Sequence, residues 1–130
     1  MKKIIVFLCL CVCLATSAMA TEPTCNGGST ITANNGTTFC KSNKSMNWWS
    51  AFTWCESQNR KLADFTTMCP DVSQIAEGAA GQCSNLQNVG SFCVWSSLAS
   101  DKGYAFSVCS DGAVYDNNRT TSNYVNALCE

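Results

Sequence analysis

Cysteine offers the most chemistry in this chain. The 130 residues include 11 cysteines and no histidine. Eight of the cysteines lie beyond residue 20: Cys25, Cys40, Cys55, Cys69, Cys83, Cys93, Cys109 and Cys129. Zinc sites usually take cysteines two to four residues apart, often with histidine. The nearest pair among these eight is Cys83 and Cys93, so the spacing does not suit zinc. An even set in an exported chain is expected to oxidise to disulfides. Counting leaves roughly a hundred connectivities open. Spacing narrows them: 15 residues from Cys25 to Cys40, 14 from Cys69 to Cys83 and 16 from Cys93 to Cys109. Three similar local loops would leave Cys55 and Cys129 to close a long one. The pairing among Cys69, Cys83, Cys93 and Cys109 stays open at this level. Each short loop would contribute about 3 kcal/mol and the long one about 4.5 kcal/mol. That exceeds the net stability of a typical domain, so reduction should unfold the chain.

Other reactive constellations are sparse. Without histidine the commonest general base is missing. No Gly-x-Ser-x-Gly, phosphate loop or metal-binding motif occurs. Asp111 and Asp116 could form a carboxylate pair for glycoside hydrolysis, but polar turn chemistry accounts for them better. Full pairing of the eight cysteines leaves no thiol nucleophile. The chain is therefore read as a non-enzyme with no cofactor. Asp101, Asp111 and Asp116 are too scattered to promise the six to eight oxygens a hard cation needs. Residues 21–130 carry six basic and nine acidic side chains, a formal charge of −3. That balance argues against nucleic acid, whose binding needs clustered Lys and Arg.

These cysteines must be exported before they can pair. Lys2 and Lys3, the apolar run from Ile4 to Leu14, and Ala18-Met19-Ala20 read as a signal peptide cleaved before Thr21. The run is too short for a membrane span, which needs about 20 residues. Cys9, Cys11 and Cys13 are read as apolar filler within it. Residues 21–130 are then a single secreted or periplasmic domain, without membrane insertion.

Elements follow from periodicity. Ser29–Ile31 and Thr37–Phe39 are expected as hairpin arms around the Asn34-Asn35-Gly36 turn. Residues 47–62 read as a helix, with Trp48, Ala51, Phe52, Cys55, Asn59 and Leu62 on one face and Asn47 or Ser45 as cap. A shorter helix is expected between Cys69 and Gly78. Residues 91–96, 104–109, 113–115 and 124–129 read as strands, with a turn at Ser110-Asp111-Gly112. Helices first and most strands later make an α+β domain.

Trp48-x-x-Ala51-x-x-x-Cys55, the apolar-Ala pair Leu62-Ala63 and the closing Cys129-Glu130 resemble the C-type lectin-like domain. The resemblance implies one or two helices packed on twisted antiparallel sheets, and a Cys55–Cys129 bridge from first helix to last strand. It also implies that Cys25–Cys40 ties an N-terminal hairpin. The Glu-Pro-Asn or Gln-Pro-Asp loop and the Trp-Asn-Asp strand of calcium-dependent sugar binding do not occur here. The chain is thus similar to compact, calcium-independent members of bacterial type.

The function this implies is an extracellular, adhesin-like binding module for a glycan or a protein. The alternative is a secreted structural or effector protein with no sugar site. Two features offer ligand contacts. Trp49 lies one step off the apolar stripe, where an exposed indole could stack on a sugar, unless it covers the N-terminal hairpin. Asp116-Asn117-Asn118-Arg119, within the polar segment ending at Asn123, could bond sugar hydroxyls, with Arg119 adding a donor fork, unless the segment is a solvated connection. Trp54 and Trp95 read as core.

Overall fold

A computed structural model describes residues 21–130. The export segment expected over residues 1–20, with Cys9, Cys11 and Cys13, lies outside the described residues. The described chain is α+β. It runs β1 (Gly28–Thr32), β2 (Thr38–Ser45), α1 (Trp48–Ser57), α2 (Phe65–Met68), a 3-10 turn (Ser84–Leu86), β3 (Cys93–Asp101), β4 (Tyr104–Cys109), β5 (Val114–Asn118) and β6 (Val125–Cys129). The strands form one six-stranded sheet in the order β1-β2-β6-β3-β4-β5. The expectation of antiparallel sheets is corrected here. There is one mixed sheet, because β6 inserts between β2 and β3 and runs parallel to β3.

Local chemistry explains most element ends. The β1–β2 turn closes through Gly36 N–H donating to the Ala33 carbonyl at 2.9 Å, and Gly36 holds φ 87°, open to glycine at little cost. Asn47 caps α1, its side-chain oxygen accepting from Ser50 N–H at 2.9 Å. The helix was expected to reach residue 62 but stops at Ser57. Asn59 turns left-handed at φ 55°, and Arg60 N–H donates back to the Cys55 carbonyl while Asn59 N–H donates to that of Glu56. This double closure ends a helix. Asn59 and Leu62 therefore leave the helical face, and Leu62 bridges Cys129 at the sheet instead. The second helix lies before Cys69 rather than after it. Pro70 bars the helical conformation at the residue preceding it, and Cys69 sits at φ −131°, ψ 66°.

The sheet is covered on both sides. Ala51 and Cys55 of α1 pack with Trp95, Ala105, Val125 and Ala127 on one face. Val94, Val108, Val114 and Leu128 point the other way, into a second cluster with Phe65 and Leu86. This alternation follows from the period-two pleat of each strand. Segment 69–90, mostly turns, closes over the second cluster. It is fixed to the sheet by Gly81 N–H to the Asp111 carbonyl and Cys83 N–H to the Gly112 carbonyl, both 2.8 Å. A side chain at Gly112 would meet Gly81 Cα at 2.8 Å, so the backbones touch there.

The four disulfides are Cys25–Cys40, Cys55–Cys129, Cys69–Cys83 and Cys93–Cys109. They follow the expected scheme of three local loops and one long one. Cys55–Cys129 fastens α1 to β6. Such a framework fits an oxidising or extracellular compartment. No helix among the described residues is long and apolar enough to cross a membrane.

Candidate functional site

Asp116, Asn117 and Asn118 were expected in a polar connection; they are strand. They pair with Phe106, Ala105 and Tyr104 of β4. Pairing sends alternate side chains to opposite faces, so the tetrapeptide does not present one polar surface. Asp116 accepts a hydrogen bond from the Ser100 hydroxyl. Asn117 donates to Ser107 Oγ at 2.6 Å and accepts from Tyr124 O–H at 2.5 Å. Asn118 Oδ1 accepts from Thr120 N–H and its hydroxyl at 3.0 and 2.8 Å, closing a local turn.

Arg119 is a clasp. Its guanidinium lies 4.6 Å over the Trp48 ring. Nε donates to the Tyr104 carbonyl at 3.0 Å and an Nη to the Asp101 carbonyl at 2.9 Å. Its own carbonyl accepts from Trp48 N–H at 3.0 Å, satisfying a first-turn donor that a helix leaves unpaired. One residue thus joins the β3–β4 turn to the start of α1, by charge-assisted bonds and a cation–π contact.

Trp49 is 49% exposed. It stands edge-on to Trp48 at 6.0 Å between ring centres. With Met46, Thr53 and Trp54 it lines a shallow groove along the outer side of α1. The cover over the N-terminal hairpin comes from Trp54 instead. A side chain at Gly28 of β1 would meet Trp54 Cη2 at 2.9 Å. Trp95 is fully buried, its indole N–H donating to the Met46 carbonyl at 2.8 Å. Trp49 therefore neighbours Arg119 through Trp48, while the Asp116 and Asn117 bonds lie along β5.

A further group had no counterpart in the sequence reading. Tyr115 and Tyr124 are 39% and 49% exposed. They line a groove of about 430 Å³ together with Ser91, Ser110, Asp111 and the Cys93–Cys109 bridge. Ser107 opposes Tyr115 on β4 and Trp95 on β3, so Tyr115 belongs to the helix-bearing face. Cys93 pairs directly with Cys109 across β3 and β4, and with Val125 on β6, which brings Tyr124 beside them. The signal available in sequence was Tyr115 alternating with buried Val114. Its meeting with Tyr124 depends on β6 lying alongside β3, which no local pattern encodes.

The groups whose ionisation is displaced sit elsewhere. Lys61 Nζ lies 2.6 Å from Glu130 and 3.1 Å from Asp64. The Ser97 hydroxyl, donating at 2.8 Å, and then Lys61 hold the Asp64 carboxyl below its ordinary range. Glu130 and then Asp64 raise the Lys61 ammonium. Burial lowers that of Lys41. Among the described residues no three His, Cys, Asp or Glu side chains gather to hold a metal ion. No family model, curated protein or solved structure matches the chain.

Proposed function

We propose that the chain is an extracellular binding module of C-type lectin-like kind, working without calcium and by recognition rather than catalysis. The observation that carries this is the pairing of a cross-linked backbone with open aromatic faces. Trp49, Tyr104, Tyr115 and Tyr124 are exposed on a sheet and helix held by four disulfides. Such side chains offer large contact area with a polar handle, and a fixed backbone spares the entropy of ordering them on binding. The helix-to-last-strand bridge Cys55–Cys129 supports the lectin-like reading, since the resemblance implies it.

A secreted structural or effector role is the second reading. It is favoured by one observation, the engagement of Asp116, Asn117, Asn118 and Arg119 in internal bonds. A glycan array probed with the oxidised protein, with and without a chelator, separates the two. Glycan binding unchanged by chelator is expected. Chelator-sensitive binding would overturn calcium independence. Silence across the array would turn the assignment toward a protein partner or a structural role.

A further inference from the structure

We propose that the groove between Tyr115 and Tyr124 binds a neutral pyranose ring of an extracellular glycan. This rests on the reading of the domain as a binding module, and names the ligand class and its place.

The ring stacks and the rim bonds. One face of a pyranose is a patch of C–H groups, which suits the face of an exposed tyrosine. Two such rings, Tyr115 and Tyr124, flank the groove. The hydroxyl edge of a sugar needs partners that both donate and accept. Ser110 Oγ accepts from Phe92 N–H at 3.2 Å, so its own hydrogen is available to a ligand. Asp111 is exposed and uses Oδ1 to accept from Ala113 N–H at 2.9 Å, which leaves Oδ2 as a further acceptor. Ser91 adds a hydroxyl of either sense. The groove is shallow and open, about 430 Å³, so it would seat a ring against the tyrosines without enclosing it.

Charge selects among ligands. No Lys or Arg lines the groove, and Asp111 is its one ionisable carboxylate. An anionic sugar, a sulfate ester or a phosphate would meet repulsion from Asp111 with no cation among the lining side chains, Lys41 being held 6.0 Å from the ring of Phe92, which lines the groove. A neutral polyol meets none.

The groove is also preorganised. Cys93–Cys109 cross-links β3 to β4 at directly opposed positions and forms the groove wall. Tyr124 O–H donates to Asn117 Oδ1 at 2.5 Å, and Asn117 in turn donates to Ser107, so the Tyr124 ring is already oriented. Little freedom remains to be lost on binding, which favours affinity. Asn117 acts here as a positioning residue. It therefore serves a sugar site indirectly.

The test is calorimetric titration of the oxidised protein with a panel of neutral methyl pyranosides, alongside tetramethylammonium. At least one pyranoside is expected to bind. Tyr115→Ala and Tyr124→Ala should each weaken it by about tenfold, the loss of a stacked ring and its buried area. Tyr115→Phe should keep most of the affinity, and Leu98→Ala, at an exposed side chain outside the groove, all of it. Both tyrosines are exposed, so disulfide mapping and thermal melts can confirm that the variants fold. Sugar binding that survives the double tyrosine variant would overturn the site while leaving the binding module standing. No sugar binding by the unsubstituted protein would overturn the site, and with it the glycan side of the module reading. Tetramethylammonium binding lost with the tyrosines, with no sugar binding, would reassign the groove to a quaternary ammonium.

Discussion

The start of α1 and the open end of the β3–β4–β5 face are built from the same kinds of residue, aromatic rings beside hydroxyls, amides and a charge. They are used in opposite ways. At the helix start, Arg119 spends its Nε and an Nη on the Tyr104 and Asp101 carbonyls and its flat face on Trp48. In the groove, Tyr115 and Tyr124 stay 39% and 49% exposed, and Asn117 holds Tyr124 in place. Residue type does not distinguish a ligand site from a clasp. The distinction lies in which hydrogen-bonding capacity the fold has already consumed, since a group with internal partners must lose them before it can bind anything else.

The harshest way to break the contrast is to open the disulfide that anchors α1 to β6 and, separately, the one that walls the groove. Cys55→Ala with Cys129→Ala should remove about 4.5 kcal/mol, close to the whole stability of a domain this size. Cys93→Ala with Cys109→Ala should remove about 3 kcal/mol. Thermal melts should rank the two pairs in that order. Next comes Arg119→Ala, which loses two charge-assisted hydrogen bonds and a cation–π contact, worth about 2 kcal/mol together. Urea unfolding should show that loss, while affinity at the tyrosine groove stays unchanged. Tyr115→Ala with Tyr124→Ala should do the reverse, lowering stability by about 1 kcal/mol, mostly through the lost Tyr124–Asn117 bond, while abolishing binding. If Arg119→Ala weakened binding as much as the tyrosine pair, the contrast between clasp and groove would collapse.

The smallest effect should come from outside both regions. Ser97 and Lys61 hold the Asp64 carboxyl below its ordinary 3.8. A folded-state value below the unfolded one adds stability above the unfolded value, and that stability is lost as pH falls through the folded value. Melting temperature should therefore fall as pH drops below about 4. Asp64→Asn should lower the melting temperature slightly near neutrality and flatten that decline. An identical acid limb in both proteins would contradict the assignment.

What could be read from sequence was local. The stripe Trp48, Ala51 and Cys55 announced α1, Asn47 was one of its two candidate caps, and three cysteine spacings suggested three loops without fixing every pair. Tyr104–Cys109 was bounded as β4 is. The losses have physical reasons. Pro70 moved the second helix upstream, because its ring constrains the residue before it. β3 runs past residue 96 to Asp101 because irregular pairing with β4 carries it on, through Ala99 opposite Ala105. Asp116–Asn118 looked like a solvated connection because strand propensity is weak for Asp and Asn; pairing with β4 overrode it. Arg119 read as a free donor fork, since its partners lie 15 and 18 residues away in sequence. The tyrosine groove was invisible for a topological reason: β6 reaches β3 only by parallel insertion into the middle of the sheet.

Chemical-shift mapping of the oxidised protein, titrated with a neutral methyl pyranoside, tests the contrast most directly. Saturable shifts should gather on the Tyr115 and Tyr124 rings and on the Ser110 and Asp111 amides, with the Arg119 guanidinium and the Trp49 indole unmoved. Saturable shifts centred on Arg119 and Trp49, with the two tyrosines silent, would contradict it.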